Sequence, residues 1–144
     1  MSDTKQEIKL SRSEAREQAF MLLFSRSFVQ EPLEDPLADA EELFEGGVCD
    51  YARVVVMGIE AVQDEIDADI ARFLKNGWSL SRISRTSLTI LRLAVYEIKF
   101  LDSIPDSVSV NEAVELAKKY TIDESGFVNG ILGAFIRSRE GAAQ

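Results

Sequence analysis

Histidine is absent from this 144-residue chain, and cysteine occurs once, at Cys49. Without imidazole there is no histidine acid–base catalysis, no Ser–His or Cys–His nucleophile pair, and no use of the usual zinc ligand. A lone thiol excludes an intrachain disulfide framework and a thiolate metal site, and it points to a reducing compartment. Cations are in the minority, with 16 Lys and Arg against 25 Asp and Glu and a net charge of −9. A nonspecific nucleic-acid binder needs an excess of cations to release counterions from phosphates, so that class is disfavoured for the chain as a whole. Overall charge does not forbid a local basic patch. Long apolar runs are also missing, and residues 1–9 are polar and charged, unlike a secretory leader. A soluble cytoplasmic protein with no membrane association is expected.

The glycines and carboxylates add no cofactor site. Gly46-Gly47, Gly126 and the Gly130/Gly133 pair match neither a P-loop nor a dinucleotide fingerprint. The acidic residues Glu41, Glu42, Glu45, Asp64, Glu65, Asp67 and Asp69 have no calcium-loop spacing and read as solvated helix faces. No catalytic residue, metal or cofactor is expected. The chain reads as a binding module, not an enzyme.

What is present is helical periodicity. Hydrophobic residues make up 46% of the chain, enough for a domain of this length to bury a core without staples. In residues 88–101, Leu91, Ala94, Val95, Ile98 and Leu101 recur at helical spacing, while Leu88, Ile90, Leu93 and Phe100 lie off that stripe. A helix apolar on more than one side belongs in the middle of the core. Ser11-Arg12-Ser13-Glu14 fits a capping box opening a helix to about residue 29, and Ser109-Val110-Asn111-Glu112 fits a second. A short acidic helix is predicted over 37–45, closed by Gly46-Gly47. The next helix starts near Tyr51, breaks around 64–67 and ends at Asn76-Gly77, with Trp78 packing back on it. Residues 79–84 form a short helical turn. The last helix is capped by Asp123 or Ser125, with Phe127 or Val128 heading its buried stripe. Gly130 and Gly133 should each cost about 1 kcal/mol relative to Ala, which is tolerable where another backbone comes close.

The pattern predicts an all-α fold of about seven helices, in two bundles sharing the central helix. Residues 1–9 read as a flexible arm, 10–138 as one helical domain, and 139–144 as a frayed tail. Lys9, Arg12 and Arg16 cluster near the start of the first helix. They are either solvated cations offset by Glu7, Glu14 and Glu17, or an anion-binding helix end.

Several motifs in order resemble one known family. Ala15-Arg16-Glu17 stands near the start, and Ile90-Leu91-Arg92-Leu93-Ala94-Val95-Tyr96-Glu97 resembles the family's central helix. Ile104-Pro105, then Val110-Asn111-Glu112-Ala113-Val114-Glu115-Leu116-Ala117-Lys118, then Phe127-Val128-Asn129-Gly130 complete the series. Together, across residues 10–137, they are similar to the NusB family of bacterial transcription antitermination factors. The resemblance implies two packed three-helix units that bind boxA, a single-stranded element of ribosomal RNA leaders, together with the ribosomal protein NusE. It also implies assembly with other Nus factors on RNA polymerase in support of ribosomal RNA transcription, and it leaves a homodimer open. By position, Lys9, Arg12, Arg16, Lys118 and Phe127 correspond to the RNA-facing residues, with Phe127 equally readable as core. Phe24, Ser87 and Glu124 correspond to the NusE-facing surface. Ser13 and Glu14 stand where the family often carries basic residues, and Ser87 where an acidic one is frequent. Fewer cations imply modest RNA affinity for the chain alone. Two rivals are a NusB-like N-terminal fragment of an rRNA methyltransferase and a protein-only helical scaffold.

Overall fold

A computed structural model describes residues 9–29, 37 and 39–142. Residues 1–8 of the arm expected over 1–9, residues 30–36 and 38, and residues 143–144 of the expected tail lie outside the described residues. Among those described there are five α-helices, two short 3-10 turns and no strand. The helices are α1 (Arg12–Arg26), α2 (Asp50–Ala71), α3 (Arg85–Phe100), α4 (Asp106–Tyr120) and α5 (Ser125–Ala142). The chain divides into two compact units, Met1–Met57 and Gly58–Gln144, with the division inside α2.

In the first unit, α1 opens on the expected box. The Ser11 amide donates to Glu14 Oε1 at 3.0 Å, and the Glu14 amide donates to Ser11 Oγ at 3.1 Å. The helix stops at Arg26, where the Ser27 hydroxyl folds back onto the Phe24 carbonyl at 2.5 Å. That local bond satisfies a terminal carbonyl and ends the helix short of residue 29. The acidic helix expected over 37–45 is only a 3-10 turn, Asp39–Glu42. Its Glu41 carboxylate leaves the helical surface to accept from the Val48 amide at 3.0 Å and to pair with Arg53. Buried Gln18 holds the same loop by its two ends, accepting from the Cys49 amide at 2.8 Å and donating to the Gly47 carbonyl at 3.3 Å.

In the second unit, α3, α4 and α5 pack pairwise on one another. Ile90, Leu91, Leu93, Ala94, Val95 and Ile98 of α3 are all buried, as its wide apolar surface requires. Helix α2 runs to Ala71 and is broken at Val62, whose backbone (φ −126°, ψ 23°) is not helical, two residues before the expected break. Gly58 is one position where a side chain is excluded: a Cβ there would overlap the Tyr96 hydroxyl.

The acidic run on α2 is only partly a solvated face: Asp64 and Glu65 are exposed, Asp67 and Asp69 are not. Asp67 takes a two-pronged grip from Arg92, at 2.7 and 2.9 Å, and both side chains are largely buried. Lys99 bridges Asp69, at 2.7 Å, and Glu65. Burial works against the Lys99 charge, but the hydrogen bonds it donates to Asp69 and Glu65, with their negative charges, outweigh it and raise its pKa above the ordinary lysine value.

The second capping box does not form. Helix α4 begins earlier, at Asp106, with Pro105 in the cap position, so Ser109 falls inside the helix. There its buried hydroxyl donates to Glu97 Oε1 of α3 at 2.7 Å. A buried carboxylate needs donors, and that need claims the serine that the local motif assigned to a cap.

Candidate nucleic-acid interface

The candidate residues fall into two groups, one in each unit. In the first, Lys9 and Arg12 are exposed and make no ion pair among the described residues. Arg16, one turn on from Arg12, is buried, its guanidinium carbon 6.0 Å from the centroid of the Tyr51 ring. The expected cluster of three therefore presents two cations to solvent, while the third packs inward. Hydrogen bonding to Ser11, first to its amide and then to its side chain, lowers the Glu14 pKa, so an anion shares this helix end. Phe24 sits further along the same helix, in an aromatic ladder. It stacks on Phe20 with centroids 6.0 Å apart and meets the Phe28 ring edge-on at 5.1 Å. Phe28 is 59% exposed, so the ladder runs from core to surface.

In the second unit, Ser87 and Glu124 come together although 37 residues separate them. The Ser87 hydroxyl, fully buried, donates to Glu124 Oε1 at 2.6 Å, and the Ser84 hydroxyl donates to the same oxygen at 2.6 Å. Ser84 is also the cap of α3, accepting from the Ser87 amide at 3.1 Å. The Glu124 carboxylate therefore lies at the positive end of the α3 dipole, where a negative charge is favoured. The Glu124 carbonyl accepts from the Val128 amide at 3.1 Å, so this residue ties the starts of α3 and α5 together. Neither Asp123 nor Ser125 takes that place: Asp123 turns the chain at φ 60°, and Ser125 is the first residue of α5.

The two readings of Phe127 separate here. Val128 is fully buried and heads the α5 core stripe with Ile131, Leu132 and Phe135, while Phe127 is 36% exposed. Its ring lines an open pocket of about 480 Å³ with Phe73, Lys75, Trp78, Gly130 and Ile131. Phe73 anchors the pocket to the core through an edge-on contact with buried Phe135, centroids 6.2 Å apart. Arg72 lies over the Phe73 ring at 5.2 Å. Trp78, expected to pack back on the preceding helix, is 51% exposed on the pocket wall. Lys118 is exposed and makes only a loose pair with Glu115 at 3.9 Å. No motif marks Phe73, Lys75 and Trp78 as a group; the one available signal is two aromatics flanking Lys75 and the Asn76-Gly77 turn.

No group of three or more His, Cys, Asp or Glu among the described residues could hold a metal ion. No described helix is long and apolar enough to cross a membrane.

Transcription antitermination protein NusB of Levilactobacillus brevis is 43% identical over 134 residues, covering 85% of this chain and 90% of that protein. The NusB of Clostridium botulinum strain Loch Maree is 40% identical over 142 residues, covering 88% of this chain and all of the relative. Among solved structures, T. maritima NusB superposes with a TM-score of 0.79 at 36% identity, covering 90% of this chain and 93% of that one. A chain from a complex of antitermination factors NusB and NusE with double-stranded RNA superposes at 0.75 with 29% identity, covering 88% and 96%. The family model for NusB matches residues 13–137, and the chain belongs to the NusB family.

Proposed function

We propose that this chain is an RNA-binding transcription antitermination factor, one that binds boxA-type single-stranded leader RNA together with NusE and supports ribosomal RNA transcription. In this reading it is not an enzyme. It acts in the cytoplasm within the elongation complex, beside other Nus factors and RNA polymerase.

The observation that carries the reading is the surface position of Phe127. A family-matched aromatic that was free to be core is instead half-exposed on a pocket with a second exposed aromatic and a lysine. Recognition of unpaired RNA uses such parts, with ring faces for bases and cations for phosphates. Lys9 and Arg12 supply the second kind of contact on their own unit, and exposed Lys118 supplies it on the other. Phe24 and the Ser87–Glu124 corner are the surfaces assigned to NusE.

With a net charge of −9, the chain has few cations for phosphate neutralisation. Its own RNA affinity should be modest and should rise markedly when NusE is added. Titrating labelled boxA RNA with and without NusE tests this. Equal affinities in the two titrations, or no binding in either, would overturn it.

A further inference from the structure

The pocket at the start of α5 carries a deeper inference, which rests on the RNA reading above. We propose that it receives one unstacked nucleobase of the bound RNA, against the rings of Trp78 and Phe127, with Lys75 meeting the adjoining phosphate.

Three observations converge on this. First, two large aromatics on one pocket stay partly in water, at 51% and 36% exposure, where burial in the core would lower the free energy. Second, Lys75 stands on the same wall and makes no ion pair among the described residues. A purely apolar guest would leave that charge unused, whereas a nucleotide offers a ring and a phosphate together.

Third, Gly130 is unexplained by packing. A glycine inside a helix costs about 1 kcal/mol relative to alanine. The sequence suggested that a neighbouring backbone comes close there, but a Cβ built on Gly130 meets nothing within 4 Å. At Gly133 a Cβ meets only the Arg137 guanidinium, at 3.2 Å. What the missing side chain at 130 does is keep the pocket wall open. A pocket of about 480 Å³ is within the range that holds small ligands.

The same glycine provides the test, because filling open space at Gly130 need not disturb the core. The probe is a fluorescein-labelled single-stranded RNA carrying boxA, titrated against the full chain with NusE. A series of such RNAs, each with one abasic nucleotide, scans for the inserted base. Gly130→Leu should bind the intact RNA roughly tenfold more weakly, while Gly130→Ala stays near the unsubstituted protein. One abasic position should weaken binding to the unsubstituted chain by a similar factor and have no further effect on Gly130→Leu. Thermal unfolding of both variants should match or exceed that of the unsubstituted chain. Should Gly130→Leu not fold, Trp78→Ala takes its place in the same cycle.

If Gly130→Leu binds as well as the unsubstituted chain, or if every abasic position weakens the two equally, the pocket assignment is overturned while the RNA reading stands. If the unsubstituted chain with NusE does not bind the RNA at all, both are overturned.

Discussion

The start of α1 and the start of α5 offer contrasting kinds of contact. At α1, Lys9 and Arg12 project from a helix end that a local capping box completes, and neither takes part in the packing beneath. At α5, Glu124 joins two helices, Val128 enters the core, and Phe127 lies between the two on the surface. The first region can change its charge without consequence for the fold. The second cannot change far without loosening the corner that positions it. The difference is between contacts that are long-range, salt-screened and structurally cheap, and contacts that are short-range and built into the tertiary structure.

The largest expected effect tests whether the second region is structural. Glu124→Ala leaves the buried Ser87 hydroxyl without its acceptor, which should cost about 2 kcal/mol, read as a lower denaturation midpoint. Glu124→Gln keeps an accepting oxygen and should lose less. Should both variants unfold like the unsubstituted chain, the corner carries no stability and the contrast with α1 disappears.

The next two effects sharpen the contrast on RNA. Phe127→Ala should weaken boxA binding about tenfold, with the slope of log affinity against log salt unchanged, because stacking releases no counterions. Lys9→Ala with Arg12→Ala should weaken binding less at moderate salt, flatten that slope by about 1.4, and leave thermal stability alone. A salt slope altered by Phe127→Ala, or left intact in the double variant, would reverse the assignment of roles.

The smallest effect lies away from both regions, on the ionic contacts between α2 and α3. Because Lys99 has a raised pKa in the folded chain, its charge favours folding. That contribution is complete below the unfolded lysine pKa near ~10.4 and is lost as pH rises through the folded value. The stability gap between the unsubstituted chain and Lys99→Met should therefore be steady from neutral pH to about pH 10 and narrow above it. A gap that widened in alkali would contradict the role of Asp69 and Glu65.

Much of the fold was legible residue by residue. The Ser11–Glu14 box formed as written, because both partners lie within one turn and no tertiary contact competes for them. The Ser109 box failed for the converse reason: buried Glu97, 12 residues away, offered its hydroxyl a better partner. Arg16 looked like its neighbours Lys9 and Arg12 in composition, yet it is buried, near the ring of Tyr51 on another helix. The acidic run on α2 looked solvated because its cationic partners, Arg92 and Lys99, lie 25 to 34 residues later in the chain. Trp78 carried no pattern of its own; its role emerged only when Phe127 and Gly130 came to line the same pocket.

By itself the amino-acid sequence determined the all-helical class, the burial of α3 on more than one side, the absence of histidine and of an intrachain disulfide, and the ordered motifs of the NusB family. Those depend on composition or on spacings within a few turns, which a helix converts directly into position around its axis. Only the tertiary structure decided that Phe127 faces out while Val128 faces in, that one carboxylate serves Ser84 and Ser87, and that Gly130 opens a pocket instead of admitting a backbone. Each of those depends on which distant residue arrives as neighbour, and local periodicity holds no information about that.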